Sequence, residues 1–182
     1  SSFKYYPLAG TYAIYDTLAA VCFARLLKIN DNDIILSLKK FKPAFGRQET
    51  IRFNDRKIQI FLSKNPISFN ESLETIKLLG GKNILIVLND NIPDGLDVSW
   101  IWDVDFETIL EKDMTITVFG TRKFDMALRL KYAGFFIHIA DSLEEALEKL
   151  TTNLNQKEKL YILPNYSAML ETRKILTGKK IL

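Results

Sequence analysis

The apolar and polar positions in the first third of the chain predict two helices followed by a β-hairpin. Apolar residues recur at intervals of three and four, as on one face of a helix, and Thr11 and Pro43 stand where a helix cap and a helix end are expected. Asn54-Asp55, between two strand-like stretches, is a typical hairpin turn. The predicted helices cover 9–28 and 33–41, and the predicted strands cover 50–53 and 56–62.

Beyond the hairpin, strand-like and helix-like segments alternate. Short apolar runs such as ILIVL are typical of strands buried on both faces, and capping-box spacing precedes two helices, at Ser68–Glu71 and Asp141–Glu144. The predicted strands cover 83–89, 115–119, 135–139 and 159–163, and the predicted helices cover 72–79, 123–133, 142–150 and 167–176, with a short one near Glu107. This alternation predicts an α/β fold with a mainly parallel, doubly wound, Rossmann-like sheet that binds ligands beyond the carboxyl ends of its strands.

Composition and charge narrow the class of protein. The chain is 47% hydrophobic and 12% aromatic, which is enough to form a core and excludes disorder as its main state. A net charge of +3 gives no indication of a nucleic-acid partner, and no apolar segment approaches the roughly 20 residues of a transmembrane helix. The single cysteine, Cys22, excludes an internal disulfide and a Cys-based zinc site, is expected in the core, and suggests a cytoplasmic protein. Because residue 1 is Ser, we expect the chain to start inside a larger protein.

The segment between Lys82 and Lys112 contains seven acidic residues, no basic residue, and both tryptophans, Trp100 and Trp102. It is either a solvated loop whose carboxylates cap the next helix, or a site that binds an amine or a partner's cation. Asp and Asn side chains at the carboxyl end of a strand are where a doubly wound sheet places its chemistry. The two indole rings favour an interface, because such rings are costly to expose and common where proteins meet.

Basic residues near two other predicted loops are candidates for contact with an anion. Lys64 and Asn65 follow the second hairpin strand and could hold a phosphate, or they could form a simple strand-to-helix turn with Pro66. Arg47 could reach a phosphate, or it could pair with Glu49 on the surface. A phosphate loop of the form GxxxxGK(S/T) does not occur in the sequence, so an enzyme that uses ATP would hold its main phosphate cradle outside these residues.

Six segments, in order along the chain, resemble the Mur ligases. LAGTYAIYDTLAAVCFARLL is similar to the end of their central domain, FGRQE to the arginine block at the hinge that follows, and LSKNPISFN to a block of peptidoglycan and folate ligases. LNDNIPDGLDVSWIWDVDFE, with GTRKFDMALRLKYAG and YILPNYSAML, resembles the MurT family, the ligase subunits of lipid II isoglutaminyl synthases. Tyr12 and Asp16 replace two Asn of the Mur ligase pattern, and Leu96 replaces the Arg that is usual in the acidic loop.

The resemblance implies a domain organisation and a reaction. Residues 1–44 would be the tail of the Mur ligase central domain, and 45–182 the C-terminal Rossmann-like domain. The whole protein would use ATP and Mg²⁺ to activate the α-carboxylate of D-Glu in the lipid II stem peptide, as an acyl phosphate. Ammonia from glutamine, released by a GatD-type glutamine amidotransferase partner, would then amidate it. The protein would be cytoplasmic and meet the membrane through lipid II, any zinc would lie upstream, and these residues alone would be inactive.

The resemblance also implies roles for individual residues. Asp97 would complete the partner's Cys–His pair as the third, orienting carboxylate, since this chain has no Cys–His pair of its own to complete. Trp100 and Trp102 would lie in the interface with that partner. The residues expected to contact the nucleotide, acyl phosphate or stem peptide are Arg47, Lys64, Asn65, Asn89, Asp90 and Asn91.

Two other functions remain compatible with the residues. The chain could be a non-catalytic α/β module that only docks a partner, which the missing phosphate loop allows. It could also belong to a Mur-like ligase for another glutamate-containing acceptor, such as folate.

Overall fold

A six-stranded sheet forms the centre of the computed structural model, which describes residues 7–179. The strand order is β1-β2-β6-β3-β4-β5, and only β1 is antiparallel to its neighbour. The strands are β1 (Arg47–Phe53), β2 (Arg56–Phe61), β3 (Asn83–Val87), β4 (Thr115–Phe119), β5 (Ile137–Ile139) and β6 (Lys159–Pro164). The predicted mainly parallel α/β sheet is therefore confirmed.

Helices cover both faces of this sheet, which makes it doubly wound. Alternate residues of β3 divide between the two cores: Ile84 and Ile86 pack under α3 and α5, whereas Leu85 and Val87 pack under α6 and α7. This division follows from the two-residue period of a strand and explains why the strands read as continuous apolar runs. The helices are α1 (Thr11–Leu26), α2 (Asp31–Lys40), α3 (Pro66–Leu78), α4 (Phe106–Ile109), α5 (Lys123–Tyr132), α6 (Leu143–Asn153) and α7 (Tyr166–Thr177), with a 3₁₀ helix at Ser99–Asp103.

The start of α3 differs from the prediction. The helix begins at Pro66, six residues before the predicted Ser72, because Asn65 rather than Ser68 is its N-cap. The side chain of Asn65 accepts a hydrogen bond from the Ser68 N–H at 2.8 Å, and the Ser68 hydroxyl in turn accepts one from the Asn65 N–H at 3.2 Å. The capping box is therefore real but lies three residues earlier, and Pro66 fits the first helical position, which needs no N–H.

The connection between β1 and β2 is the predicted two-residue hairpin. Asn54 and Asp55 both have positive φ, 49° and 58°, as a type I′ turn requires. The turn brings β1 back along β2, so that Arg47 pairs with Phe61. The first residue of β1 therefore lies at the carboxyl end of β2.

Helix α1 is attached to the sheet by one polar side chain and leaves an apolar face uncovered. Gln48 is buried, accepts a hydrogen bond from the Ala9 N–H at 2.9 Å, donates to the Ala9 carbonyl at 2.6 Å, and also contacts the Tyr12 hydroxyl. Cys22 is exposed, so its predicted place in the core is wrong; the buried residues of α1 are Ala13, Thr17 and Val21. The exposed apolar residues on α1 are Ile14, Tyr15, Leu18, Phe23 and Leu26.

None of the helices between residues 7 and 179 is both long and apolar enough to cross a bilayer.

Candidate functional site

The candidate site lies at the carboxyl edge of the sheet. The five parallel strands β2, β6, β3, β4 and β5 end there, and β1 begins there. The fold thus brings Arg47, Lys64, Asn65 and the 89–91 segment to one edge, although they are spread over 45 positions of the chain. The carboxyl edge of such a sheet is where loops from separate strands can meet a common ligand.

Asn89 and Asn165 form the centre of this edge. The side chain of Asn165 donates to the Asn89 carbonyl at 2.6 Å and accepts from the Asn89 N–H at 3.2 Å. The Asn89 side-chain oxygen accepts from the Thr121 N–H at 3.0 Å, and both asparagines are buried. Asn89 therefore joins the loops after β6, β3 and β4. Asn165 was not among the residues expected at the site, and its only signal in the sequence is its position directly after an apolar run.

The loop over 90–97, which follows β3 and is called the acidic loop here, is hydrogen-bonded to the beginning of α7. Asp94 accepts a hydrogen bond from the Ser167 N–H at 3.1 Å and contacts the Ser167 hydroxyl, which also accepts from the Asn91 side chain at 2.9 Å. A carboxylate at a helix N-terminus is stabilised by the unpaired N–H groups there. Asp94 thus fixes the loop that carries Asp97.

Asp90 is paired within the site. It accepts from the Thr121 hydroxyl at 2.6 Å, and its own N–H donates to that hydroxyl at 3.0 Å. Arg122 lies 3.5 Å from the Asp90 carboxylate and 3.0 Å from that of Asp125. The Asp90 carboxylate therefore already has partners within the protein, and it would affect a ligand by positioning Thr121 and Arg122.

Asp97 is an exposed carboxylate held in one orientation by its own loop. Its Oδ1 accepts a hydrogen bond from the Ser99 N–H at 2.8 Å. That hydrogen bond, together with the positive charge of Arg122, holds the pKa of Asp97 below its usual value. Asp97 is consequently ionised at neutral pH and accessible to another molecule.

The 3₁₀ helix after Asp97 is organised by Arg129, a buried residue that the sequence analysis did not identify. Its guanidinium donates to the carbonyls of Ile101 at 3.2 Å and Val104 at 2.6 Å, and binds Glu107 with two hydrogen bonds of 2.6 and 2.8 Å. These partners lie 22 to 28 residues away in sequence, so local spacing could not reveal them. The Glu107 carboxylate is therefore paired with Arg129 and helps to hold the acidic segment in place.

The two tryptophans have different environments. Trp100 is partly buried and packs against Phe69, with ring centroids 5.8 Å apart, so much of its surface belongs to the core. Trp102 is 49% exposed and lies edge-on to Tyr132, with centroids 5.6 Å apart. Of the two, Trp102 is the one that presents its ring to the surroundings.

The basic end of the edge is more open. Lys64 and Arg47 are exposed, and the predicted alternative of an Arg47–Glu49 pair does not occur. Glu49 instead binds Arg173 through two hydrogen bonds of 2.7 and 2.8 Å, which tie β1 to α7. The oxygen of Asn65 is used as the α3 cap, which leaves its amide nitrogen for any ligand.

The edge therefore has a cationic end and an acidic end. Arg47 and Lys64 lie at β1 and β2, while Asp90, Asp94 and Asp97 lie in the loop after β3. Three strand spacings separate β1 from β3, which is about 14 Å. Across residues 7–179, no three His, Cys, Asp or Glu side chains are grouped so that they could hold a metal ion.

Comparison with known proteins connects this arrangement to one family. A family model described as MurT ligase C-terminal matches residues 62–169. The MurT subunit of the glutamine-hydrolysing lipid II isoglutaminyl synthase of Streptococcus pneumoniae R6 is 38% identical over 177 residues, which are 96% of this chain and 40% of that protein. The subunit of the same name from Staphylococcus aureus COL is 33% identical over 165 residues, 89% of this chain and 37% of the relative. The chain thus spans about two fifths of the length of the curated relatives it matches.

Solved structures share the fold at low sequence identity. MurF from Acinetobacter baumannii superposes with a TM-score of 0.68 at 20% identity, covering 97% of this chain and 39% of that one. A folylpolyglutamate synthase from Thermotoga maritima gives a TM-score of 0.62 at 19% identity, covering 95% and 40%. At these identities the likeness establishes the architecture alone.

Proposed function

The chain belongs to the MurT ligase C-terminal family, and from that premise we propose that it is part of the ligase subunit of a lipid II isoglutaminyl synthase. The whole enzyme would amidate the α-carboxylate of D-Glu in the lipid II stem peptide with ammonia released from glutamine by a separate GatD-type glutaminase. The observation that carries this proposal is Asp97, an ionised, exposed carboxylate that the Ser99 N–H holds in place.

Asp97 has the properties required of the third residue of a catalytic triad. Such a carboxylate accepts a hydrogen bond from the far nitrogen of the histidine, fixes the tautomer and stabilises the imidazolium. The chain's own Cys22 and His138 lie on α1 and β5, which belong to opposite ends of the sheet. The histidine that Asp97 orients would therefore belong to the partner.

The cationic end of the edge is suited to phosphate. Arg47 and Lys64 are exposed there, and both side chains are common phosphate ligands. ATP with Mg²⁺ would supply the phosphoryl group that activates the carboxylate. Its main phosphate cradle, and any zinc site, would lie in the part of the protein that this chain does not include.

The middle of the edge would face the stem peptide. The exposed amide of Asn91 could contact it directly, while Asn89 and Asp90 would position the surrounding loops through Thr121 and Arg122. Asn65 would offer its amide nitrogen beside Lys64. We place the reaction on the cytoplasmic side of the membrane, where lipid II would bring the enzyme to the inner face.

The domain organisation follows the same proposal. Residues 1–44 would belong to the central ligase domain, and 45–182 would form the C-terminal domain. The uncovered apolar face of α1 supports this boundary, because an apolar surface of this kind is normally packed against another part of a protein.

Substitution of Asp97 by Asn in the full-length protein, purified with its glutaminase, tests the proposal. Amidation driven by glutamine should fall strongly, by up to about 10⁴-fold as in a serine-protease triad, while amidation driven by added ammonium should persist. Asp103→Asn is the control, because Asp103 is an exposed carboxylate of the same segment.

The outcomes separate the candidate functions. Retention of both activities would remove Asp97 from the triad, and loss of both would place it in the ligase site. A wild-type complex that amidates neither lipid II nor a folate acceptor would leave the chain as a docking module, whereas activity on folate alone would favour the other ligase.

A further inference from the structure

A β-bulge interrupts the beginning of β1. Arg47 pairs with Phe61 and Glu49 pairs with Ile60, so two steps along β1 correspond to one step along β2, and Gln48 is the extra residue. Gln48 has a φ of 59°, which is the left-handed conformation. A bulge of this kind usually has glycine at that position, because a Cβ makes the left-handed conformation unfavourable. The chain therefore keeps glutamine where glycine would fit the backbone better.

The bulge turns Arg47 and Glu49 to opposite faces of the sheet. Paired residues of neighbouring strands project to the same face. Phe61 packs in the core under α3, so its partner Arg47 projects to the α3 face. Ile60 packs in the core under α7, and its partner Glu49 accordingly binds Arg173 of α7. In a regular strand residues 47 and 49 would share one face, so the extra residue is what reverses Arg47.

The α3 face is the side on which the other basic residue of this edge lies. Lys64 belongs to the short connection from β2 to α3, and Arg47 pairs with Phe61, the last residue of β2. Arg47 is also near Tyr12 of α1, which contacts α3. Burial raises the pKa of the Tyr12 hydroxyl, against the smaller opposing effects of its hydrogen bond with Gln48 and of the Arg47 charge. The guanidinium is therefore close to the helices of the α3 face.

The side chain of Gln48 explains why glutamine is tolerated in the bulge. Its amide accepts a hydrogen bond from the Ala9 N–H at 2.9 Å, donates to the Ala9 carbonyl at 2.6 Å and contacts the Tyr12 hydroxyl, and the residue is only 4% exposed. Glycine would adopt the same backbone conformation more easily but would make none of these contacts. Strained residues of this kind persist where the surrounding structure holds them. The amide thus fixes the segment before α1 to the point in β1 where Arg47 is turned.

We infer that Gln48 is a positioning residue for Arg47: its bulge directs the guanidinium to the α3 face, beside Lys64, and its amide holds the bulge in place. The inference rests on the proposed function, in which Arg47 is a phosphate ligand. It goes beyond that function because it assigns the direction of the arginine to a buried residue that contacts no ligand. Bulges next to functional sites commonly re-aim a side chain in this way.

The test compares Gln48→Gly with Gln48→Val in the full-length protein, purified with its glutaminase. Both variants lack the amide, but glycine adopts the left-handed conformation readily, whereas a β-branched residue strongly disfavours it. Gln48→Gly should therefore keep the direction of Arg47 and bind ATP with Mg²⁺ within about threefold of the wild type. Gln48→Val should weaken ATP binding about 10-fold or more, as Arg47→Ala should, because each removes a hydrogen bond between a charged side chain and phosphate.

Thr50→Val is the matched control, because it places valine in the same strand at an exposed position where φ is not positive. The combined variant Arg47→Ala/Gln48→Val shows whether the two residues act as one. If they do, the combined variant binds ATP no more weakly than Arg47→Ala alone. Affinity is measured by titration calorimetry without lipid II, and the KM for ATP is measured in ammonium-driven amidation.

Equal losses in Gln48→Val and Arg47→Ala that do not combine, with near-normal binding by Gln48→Gly and Thr50→Val, support the inference. Normal binding by Gln48→Val overturns it, as do losses that multiply in the combined variant or an equal loss in Thr50→Val. Equal weakening of both Gln48 variants would show that the amide acts only as a clamp on the segment before α1, and would also overturn it.

Two further outcomes are decisive. If Gln48→Val does not fold, Gln48→Gly still decides, because binding as weak as that of Arg47→Ala overturns the inference and binding near that of the wild type supports it. If Arg47→Ala binds ATP as the wild type does and has an unchanged KM, the phosphate role of Arg47 in the proposed function is wrong, and the inference fails with it.

Discussion

Replacing Arg129 by Met should strongly destabilise the domain. Arg129 is 4% exposed, and its guanidinium donates to the carbonyls of Ile101 and Val104. These carbonyls also accept longer backbone hydrogen bonds, from the Val104 N–H at 3.4 Å and the Phe106 N–H at 3.0 Å. Met fills a similar volume but cannot donate a hydrogen bond. The variant therefore removes the donor while keeping most of the packing.

The expected cost follows from the two hydrogen bonds that the charged guanidinium no longer makes. A hydrogen bond that involves a charged group contributes about 1.5–3 kcal/mol, so losing the two together costs about 4 kcal/mol. The pair with Glu107 adds little, because the Glu107 side chain is half exposed and water screens its charge. In a domain of this size 1 kcal/mol corresponds to about 2–4 °C, so the melting temperature should fall by roughly 8–16 °C.

Thermal unfolding followed by circular dichroism measures this change, and Arg25→Met is the control. Arg25 binds Asp31 with two hydrogen bonds of 3.0 and 2.9 Å, which is similar paired geometry, but both side chains are about half exposed. The control should melt with the wild type. If Arg129→Met also melts within about 2 °C of the wild type, the backbone N–H groups alone satisfy the two carbonyls, and the guanidinium does not stabilise the fold as expected.

Two further predictions concern the same part of the fold. The Arg129 guanidinium holds the pKa of Glu107 below its ordinary value of 4.5, so this pair stabilises the fold above about pH 4.5 and loses its contribution as the pH falls through the lowered pKa. Glu107→Gln should therefore be slightly less stable than the wild type in urea at pH 7, by no more than about 1 kcal/mol, and equally stable in strong acid, and a difference independent of pH would contradict this. Gly120 has a φ of 115°, and an added Cβ would lie 2.2 Å from the Leu88 carbonyl oxygen, so Gly120→Ala should cost about 2–5 kcal/mol in urea unfolding. Gly95→Ala, with a φ of 83° and no atom within 4 Å of the added Cβ, should cost only about 1 kcal/mol, and equal losses would show that crowding at Leu88 is unimportant.

The buried strands were predictable because each contains a run of consecutive, mostly apolar residues. The strand over 115–119 was predicted with the bounds of β4, and the run at 83–89 contains β3. Central parallel strands contact helices on both faces, so most of their side chains are apolar and the run is easy to recognise. The strand β5 is shorter than predicted because it is an edge strand with one neighbour.

Helix starts were less predictable because several residues can serve as the cap. Asn65 was preferred over Ser68, and Ser142 over Asp141, as the N-caps of α3 and α6. All four are good capping residues, and the choice depends on where the preceding strand ends. The error for Cys22 has another origin, because helical spacing identifies an apolar face but not whether anything covers it.

The contacts that shape the candidate site could not be predicted from the spacing of residues along the sequence. Asp94 meets Ser167 across 73 positions, and Asn89 meets Asn165 across 76. These pairs exist because β6 enters the sheet next to β3, and a pattern of strands and helices does not fix that order. The resemblance to a family suggested Asp97, but it did not indicate Arg129, which donates hydrogen bonds to two carbonyls of the same segment.

β6 is the last strand of this chain to be synthesised, yet it lies between β2 and β3 and pairs with both. Until it arrives, the two earlier strands have unpaired inner edges rich in isoleucine and leucine, which are sites where unfinished chains aggregate. Pairing over roughly 100 residues also makes closure of the sheet slow compared with local hairpin formation. The hairpin and the β3–β5 unit would therefore form as separate pieces, and the same late segment that joins them brings Asn165 to Asn89, so the centre of the site assembles only in the final step of folding.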